Sequence, residues 1–210
     1  MNSDIFEARH GLRRQMLERR KSLSETEWQA RSAQIFQRLE TYSAIQHARV
    51  VHCYISSSAR REVDTEPLLT WLLSAGKTIF VPAVRGRSLH LARFQHLDAL
   101  QAAPFGLREP QHADIIDIAA DDFPTIDIVL TPLLACDRYG NRLGYGKGFY
   151  DRFFVQLAER GQSPLKIGLA FSFQVIDHVP QFPLDQHRDV PLDMVVTEDG
   201  IFQTDILSAS

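Results

Sequence analysis

The 210-residue sequence has only two cysteines, Cys53 and Cys136, too few for a disulfide framework. Both stand in apolar, strand-like stretches and read as small core residues in a reducing compartment. Apolar runs such as 128–130 and 133–135 fall far short of the roughly 20 residues that cross a bilayer. Residues 1–10 carry Asp4 and Glu7 and lack an apolar signal core, so the expected location is cytoplasmic, with no membrane partner. Neither sign of charge dominates. The 23 Lys and Arg against 26 Asp and Glu leave a net charge of −3, which argues against a global hold on nucleic acid or anionic lipid. No repeat, low-complexity tract or interdomain linker interrupts the chain, so one domain over 1–210 is expected. The eight histidines lack metal-ligand spacing: His178 and His187 are separated by Pro180 and Pro183, and His52 lies in an apolar run. No zinc site is expected.

What is present is an ordinary globular composition, 44% hydrophobic and 23% charged, in a chain long enough to bury a sizeable core. Ile5, Ala8, Leu12 and Met16 recur at helical spacing, with Arg9 and Arg13 one turn apart beside them and Arg20 two turns further on. Ser24 and Glu27 form a capping box ahead of Trp28, Ile35 and Leu39, which mark the buried face of a second helix. The period then changes. Residues 49–55 are rich in β-branched and aromatic types and read as a strand. A helix follows from 64 to 75 with Gly76 as its stop. Short strands are expected at 78–81, ended by Pro82, and at 89–94. Residues 97–124, with Pro104, Gly106, Pro110 and Pro124, read as mostly irregular, and 99–103 is ambiguous. Residues 126–134 form the apolar run of a strand buried on both faces, 149–158 a helix, and 166–171 and 194–197 further strands. This alternation predicts an α/β fold: a single domain with a mainly parallel central sheet flanked by helices and an N-terminal helix pair.

Chemistry concentrates in residues 137–151, where four of the 11 glycines fall within nine positions, between the apolar strand and a helix. Ligands in open α/β sheets bind beyond the carboxyl ends of strands, and a glycine-rich helix N-terminus there suits a phosphate. Arg142 and Lys147 add positive charge, and Asp137 and Asp151 flank the loop with carboxylates suited to Mg²⁺. The Walker pattern fails because Asn141 and Gly148 stand where Gly and Ser/Thr are required. The dinucleotide pattern fails too, since the spacing is G-x-G-x-G.

The run D-x-x-G-x-R-L-G-x-G-x-G-F-Y-D over 137–151 resembles the signature of the 5-formyltetrahydrofolate cyclo-ligase family. Arg9, Leu12, Arg13 and Arg20 resemble the family's basic opening helix. Residues 62–65 resemble its folate-side Glu segment, and Asp189, Asp193 and 195–197 its C-terminal strand. The resemblance implies ATP-dependent closure of 5-formyltetrahydrofolate to 5,10-methenyltetrahydrofolate, with ADP and phosphate released. The formyl oxygen is phosphorylated, N10 attacks the activated carbon, and phosphate departs; the protein positions the reactants and neutralises charge, a part Lys147 and Arg142 would carry. ATP would be held by Arg9, His10, Gly11, Leu12 and Arg13 on the first helix. On the loop it would meet Arg142, Leu143, Gly144, Tyr145, Gly146, Lys147, Gly148, Phe149 and Tyr150. Folate contacts would come from Ser57, Glu62, Tyr145, Gly146, Lys147, Gly148 and Phe149, with Glu62 accepting from pterin N–H groups. Magnesium would take Asp151 and Asp189. Arg9 replaces the family's usual Lys, and Phe149 stands where Tyr is common, which removes a hydroxyl but not a stacking surface. The implied partners are two small molecules, reduced folate and ATP, bound by a monomer.

Other readings use the same residues. Arg9 and Arg13 fit the solvated face of an amphipathic helix. Glu62 beside Arg60 and Arg61 fits a surface ion pair, and Asp189 and Asp193 fit polar turns. Tyr54 and Trp71 fit core or pocket wall equally. Residues 181–191 are Pro-rich and suit a closing segment. The alternative function is a non-catalytic sugar-phosphate or nucleotide sensor on the same scaffold, whose only candidate effector region is the N-terminal helix pair. A sugar-phosphate isomerase or CoA-transferase-like enzyme would need a catalytic carboxylate and no ATP.

Overall fold

A computed structural model describes residues 2–103, 107–110, 115–182 and 189–205. Three helices lead the chain: α1 (Asn2–Lys21), α2 (Glu25–Thr41) and α3 (Ser43–His47). The capping box forms as expected, with the Glu27 N–H donating to Ser24 Oγ at 3.2 Å and the Ser24 N–H to Glu27 Oε2 at 2.9 Å. Then come β1 (Val50–Cys53), α4 (Glu66–Ser74), β2 (Thr78–Arg85) and β3 (Ser88–Arg93). Short strands β4 (Leu100–Ala103), β5 (Leu107–Pro110) and β6 (Ile115–Ile116) occupy the region expected to be mostly irregular. The chain continues through β7 (Ile128–Pro132), the hairpin of β8 (Ala135–Cys136) and β9 (Arg142–Leu143), and α5 (Phe149–Glu159). It closes with β10 (Leu165–Leu169), β11 (Met194–Val196) and β12 (Ile201–Gln203), the last not anticipated from its sequence.

The main sheet runs β12-β11-β10-β7-β1-β2-β3-β6. Its five central strands are parallel, and the pairs β11–β12, β2–β3 and β3–β6 are antiparallel. The order of the parallel strands is second, first, third, fourth, fifth, so the winding reverses between β1 and β7. Right-handed crossovers then send α4 and α5 to opposite faces and leave a crevice beyond the carboxyl ends of β1 and β7. On the α5 side, the rings of Tyr150 and Phe153 pack on His52 of β1 at centroid distances of 5.8 and 5.2 Å.

Pro82 does not end β2, contrary to expectation. β1 pairs only with residues 78–80 of β2, so the later part of β2 has an edge without a ladder partner, and a missing N–H there breaks nothing. Two residues on, the Val84 N–H is taken up by Glu109 Oε1 at 2.7 Å. Trp71 meets Phe36 edge-on at 6.2 Å and packs, partly buried, against the core. Cys53 and Cys136 are fully buried thiols, and burial pushes both above the ordinary range. A second apolar cluster of Met16, Leu134, Ala135, Leu143 and Val179, with Leu12 against it, fastens α1 to the β8–β9 hairpin and so brings the helix beside the glycine-rich loop. Among the described residues no helix is long and apolar enough to cross a membrane.

Candidate active site

The crevice at the β1–β7 reversal opens into a cavity of about 640 Å³, a size suited to small-molecule ligands. Its floor is Tyr54 and Ile55 after β1 and Pro132 at the end of β7. Phe6, Arg9 and Arg13 of α1 wall one side, the 144–148 loop and the start of α5 another, and Phe182 and Asp189 approach from the C-terminal segment.

The loop is shaped from beneath by Asp137. This side chain is fully buried and accepts four hydrogen bonds. Oδ1 takes the Tyr139 and Asn141 N–H groups at 3.0 and 3.1 Å, and Oδ2 takes Asn141 Nδ2 and the Val179 N–H at 2.9 and 3.0 Å. Its oxygens are consumed by three turn donors and the Val179 N–H, which corrects the expectation that Asp137 offers a carboxylate to Mg²⁺. The turn delivers Arg142, itself 6% exposed, whose Nη2 pairs with Asp151 Oδ1 at 2.7 Å. Beyond it, Gly146 has φ +89, and a Cβ there would lie 3.3 Å from the Arg13 guanidinium carbon. Gly148, at φ +65, caps α5, and a Cβ would lie 2.8 Å from Arg152 Nη1. The left-handed backbone favours glycine at both positions, and the approaching arginine tips are flexible ends that add little to that demand.

Positive charge gathers on this side. The Arg13 Nε–H donates to the Gly144 carbonyl at 3.0 Å. Arg9 is buried, with Nη1 donating to the Pro180 carbonyl at 2.8 Å and Nη2 paired to Asp189 Oδ2 at 2.7 Å. Burial, and then the neighbouring Arg9, pull the Arg13 guanidinium below its usual range, while Asp189 opposes them. Arg142 Nε, Arg9 Nε and the Tyr150 hydroxyl are buried without a hydrogen-bond partner among the described residues. Donors left unmet beside clustered cations are the condition an anionic ligand relieves.

The opposite wall centres on Glu62, 4% exposed. Its Oε2 accepts the Ser57 N–H at 2.8 Å, its Oε1 accepts the Tyr145 hydroxyl, and its backbone carbonyl accepts Trp28 Nε1–H at 2.6 Å. Arg60 stands over the Tyr145 ring at 4.9 Å. Burial, reinforced by the Glu62 charge, pushes the Tyr145 hydroxyl well above the usual phenol range, so it stays protonated and donates. Phe149 lines the cavity with the Arg152 guanidinium 5.4 Å from its ring.

The structure therefore brings Arg9, Arg13, Glu62, Arg142, Gly144, Tyr145, Gly146, Lys147, Gly148, Phe149, Tyr150, Asp151 and Asp189 to one cavity from four stretches of chain. His10 is exposed, and His10, Gly11, Leu12, Leu143 and Ser57 are not on the cavity wall. Leu12 and Leu143 are taken up by the second apolar cluster. Asp193 serves the fold, accepting the Lys166 N–H at 2.7 Å and pairing with Lys166 Nζ at 2.9 Å. Residues 183–188, including His187 and most of the Pro-rich segment, lie outside the described residues. Arg60, Arg108 and Arg152 reach the cavity with no sequence signal to mark them. Asp151 and Asp189 each hold an arginine, and the Val190 N–H reaches Asp151 Oδ1 at 3.3 Å, which brings the two acidic positions into one neighbourhood. Among the described residues no cluster of three or more His, Cys, Asp or Glu forms an all-protein metal cage. Magnesium commonly takes one or two carboxylates plus phosphate oxygens, and this donor set fits that pattern.

Comparison with known proteins agrees with the geometry. The sequence profile of the 5-formyltetrahydrofolate cyclo-ligase family matches residues 5–198. The 5-formyltetrahydrofolate cyclo-ligase of Escherichia coli K12 is 30% identical over 189 residues, covering 89% of this chain and 98% of its own. The enzyme of that name from Mus musculus is 28% identical over 202 residues, covering 93% and 96%. The solution structure of Aquifex aeolicus 5,10-methenyltetrahydrofolate synthetase superposes with a TM-score of 0.78 at 29% identity, covering 96% of this chain and 95% of its own. The Mycoplasma pneumoniae synthetase, at 24% identity, shares the fold with a TM-score of 0.68. With a cation-lined loop and a buried carboxylate facing one crevice, and a family profile spanning nearly its whole length, the chain belongs to the 5-formyltetrahydrofolate cyclo-ligase family.

Proposed function

We propose that this chain closes 5-formyltetrahydrofolate to 5,10-methenyltetrahydrofolate at the expense of MgATP, releasing ADP and phosphate. One observation supports this above the rest: a single cavity joins a cation cluster suited to a polyphosphate with a buried carboxylate and aromatic wall suited to a pterin. Arg9, Arg13, Arg142, Lys147 and the first amides of α5 hold the triphosphate. Glu62 accepts from the pterin N–H groups, and Phe149 stacks on the ring.

The formyl oxygen is a poor leaving group as it stands. It attacks the γ-phosphorus, the bond to the bridging oxygen breaks, and ADP departs. N10 then adds to the activated formyl carbon and loses its proton, and the carbon–oxygen bond breaks with release of phosphate. Arg142 and Lys147 neutralise charge on the phosphoryl group in transit, and the cavity holds both reactants in line. Asp151 and Asp189 would hold magnesium, which when bound neutralises phosphate charge.

The test mixes the protein, 5-formyltetrahydrofolate and MgATP and follows the near-ultraviolet band of the conjugated methenyl product. Growth of that band only in the complete mixture, matched by ADP release, is the expected result. A folded protein that binds ATP yet yields no band refutes the proposal and favours a nucleotide sensor.

A further inference from the structure

Arg20 lies outside the cavity, yet it is one of the most deeply buried side chains, only 1% exposed. It comes from the last turn of α1 and reaches Leu133 and Tyr145. Its Nη2 donates to the Tyr145 hydroxyl at 2.6 Å, its Nη1 contacts the Leu133 carbonyl at 3.5 Å, and its Nε has no partner among the described residues. A buried arginine in so sparse a setting is costly unless its charge is matched. The match is Glu62, one hydroxyl away: Tyr145 accepts from Arg20 and donates to Glu62 Oε1.

The direction of these bonds carries a consequence. A guanidinium has only donors, so it occupies a Tyr145 lone pair and leaves the phenolic proton no role but donation to Glu62. The Ser57 N–H holds the other carboxylate oxygen at 2.8 Å. Both oxygens are thereby pinned, and the lone pairs that remain are two acceptors at fixed spacing, suited to a planar ligand with two adjacent N–H donors. Without Arg20 the Tyr145 hydroxyl could turn, and Glu62 would lose its anchor on that side.

We infer that Arg20 is a positioning residue, which acts through the Tyr145 hydroxyl to hold Glu62 as a bidentate acceptor for the pterin edge. The inference rests on the function proposed above and assigns a task to a residue that touches neither substrate.

The test is a double-mutant cycle in the full chain. The variants are Arg20→Met, Tyr145→Phe and both together, each read by KM for 5-formyltetrahydrofolate, KM for MgATP and equilibrium binding of 5-formyltetrahydrofolate without nucleotide. Each single change should weaken folate binding about 10- to 100-fold, as loss of a bond to a charged group does, and leave the ATP constant within about twofold. The double variant should be no worse than about twofold beyond Tyr145→Phe alone, because the second change removes a link already cut. A merely structural role would lower active protein or kcat and leave both constants in place. Multiplying effects in the double variant, or equal rises in both constants, overturn the inference. Should Arg20→Met not fold, Arg20→Lys replaces it under the same criteria, retaining the charge while changing the donor geometry. Wild-type protein that neither binds 5-formyltetrahydrofolate nor turns it over refutes the proposed function itself. Active wild type with additive variants refutes only the role of Arg20.

Discussion

Replacing Asp137 with Asn separates a structural carboxylate from a metal ligand at the position where sequence suggests the latter. The fully buried Asp137 carboxylate accepts from the Tyr139 and Asn141 N–H groups, from Asn141 Nδ2 and from the Val179 N–H. An asparagine of the same shape keeps one oxygen, which can serve the Tyr139 and Asn141 backbone. Its new NH₂ then faces two donors. Turning the Asn141 amide recovers at most one of these, and the Val179 N–H stays unmet. Bonds to a charged group contribute about 1.5–3 kcal/mol each, and the two that survive lose their charge assistance, so a loss of about 3 kcal/mol is expected. For a chain of this length that corresponds to a fall in Tm of about 6–12 °C. Calorimetry or thermal circular dichroism gives the shift, and a magnesium titration of turnover on the same sample below its transition reads the metal requirement, which should stay within about twofold of wild type. A Tm within about 2 °C of wild type, or a displaced magnesium midpoint at unchanged stability, would refute the argument.

Other expectations follow from neighbouring groups. Lys147→Ala, at an exposed loop position, should leave Tm within about 2 °C while raising KM for MgATP or lowering kcat at least about tenfold; unchanged kinetics would remove the loop from the active site. Glu62→Gln should raise KM for the folate about 10- to 100-fold and hardly change that for ATP, and equal effects on both would count against its assignment to the pterin. Asp151→Asn should move the magnesium midpoint upward about tenfold, and an unaltered titration clears Asp151 of ligand duty. His52 is fully buried, neither ring nitrogen has a hydrogen-bond partner among the described residues, and desolvation lowers its pKa to about 3. The unfolded chain holds that proton below its ordinary value of 6.5 while the folded chain refuses it, so stability falls as pH drops from 6.5 toward 3. His52→Leu should flatten that slope by about 1.4 kcal/mol per pH unit between pH 4 and 6, read by urea unfolding across pH, and parallel curves would contradict a neutral buried histidine.

Much was determined locally and could be read without the fold. Helical spacing marks α1 and α2, the Ser24–Glu27 box marks a boundary, and the apolar run through β7 announces a buried parallel strand, because each depends on neighbours a few residues away. The spacing of Gly144, Gly146 and Gly148 with Arg142 and Lys147 likewise marks the loop, since the backbone needs of a close approach are written into the residues that make it. Other features have no local signature. Pro82 stays within β2 only because β1 stops short beside it, a fact about strand register. Asp137 and Asp151 look alike beside the loop, but three turn donors and the distant Val179 N–H consume one, whereas the other, paired to Arg142, keeps oxygen capacity at the cavity. Arg20, Glu62 and Tyr145 come from three distant stretches of chain. Sequence marked two of them for a ligand, but hydrogen bonds between side chains have direction and reach only a few ångströms, so only the tertiary structure decides that the third holds the other two in place.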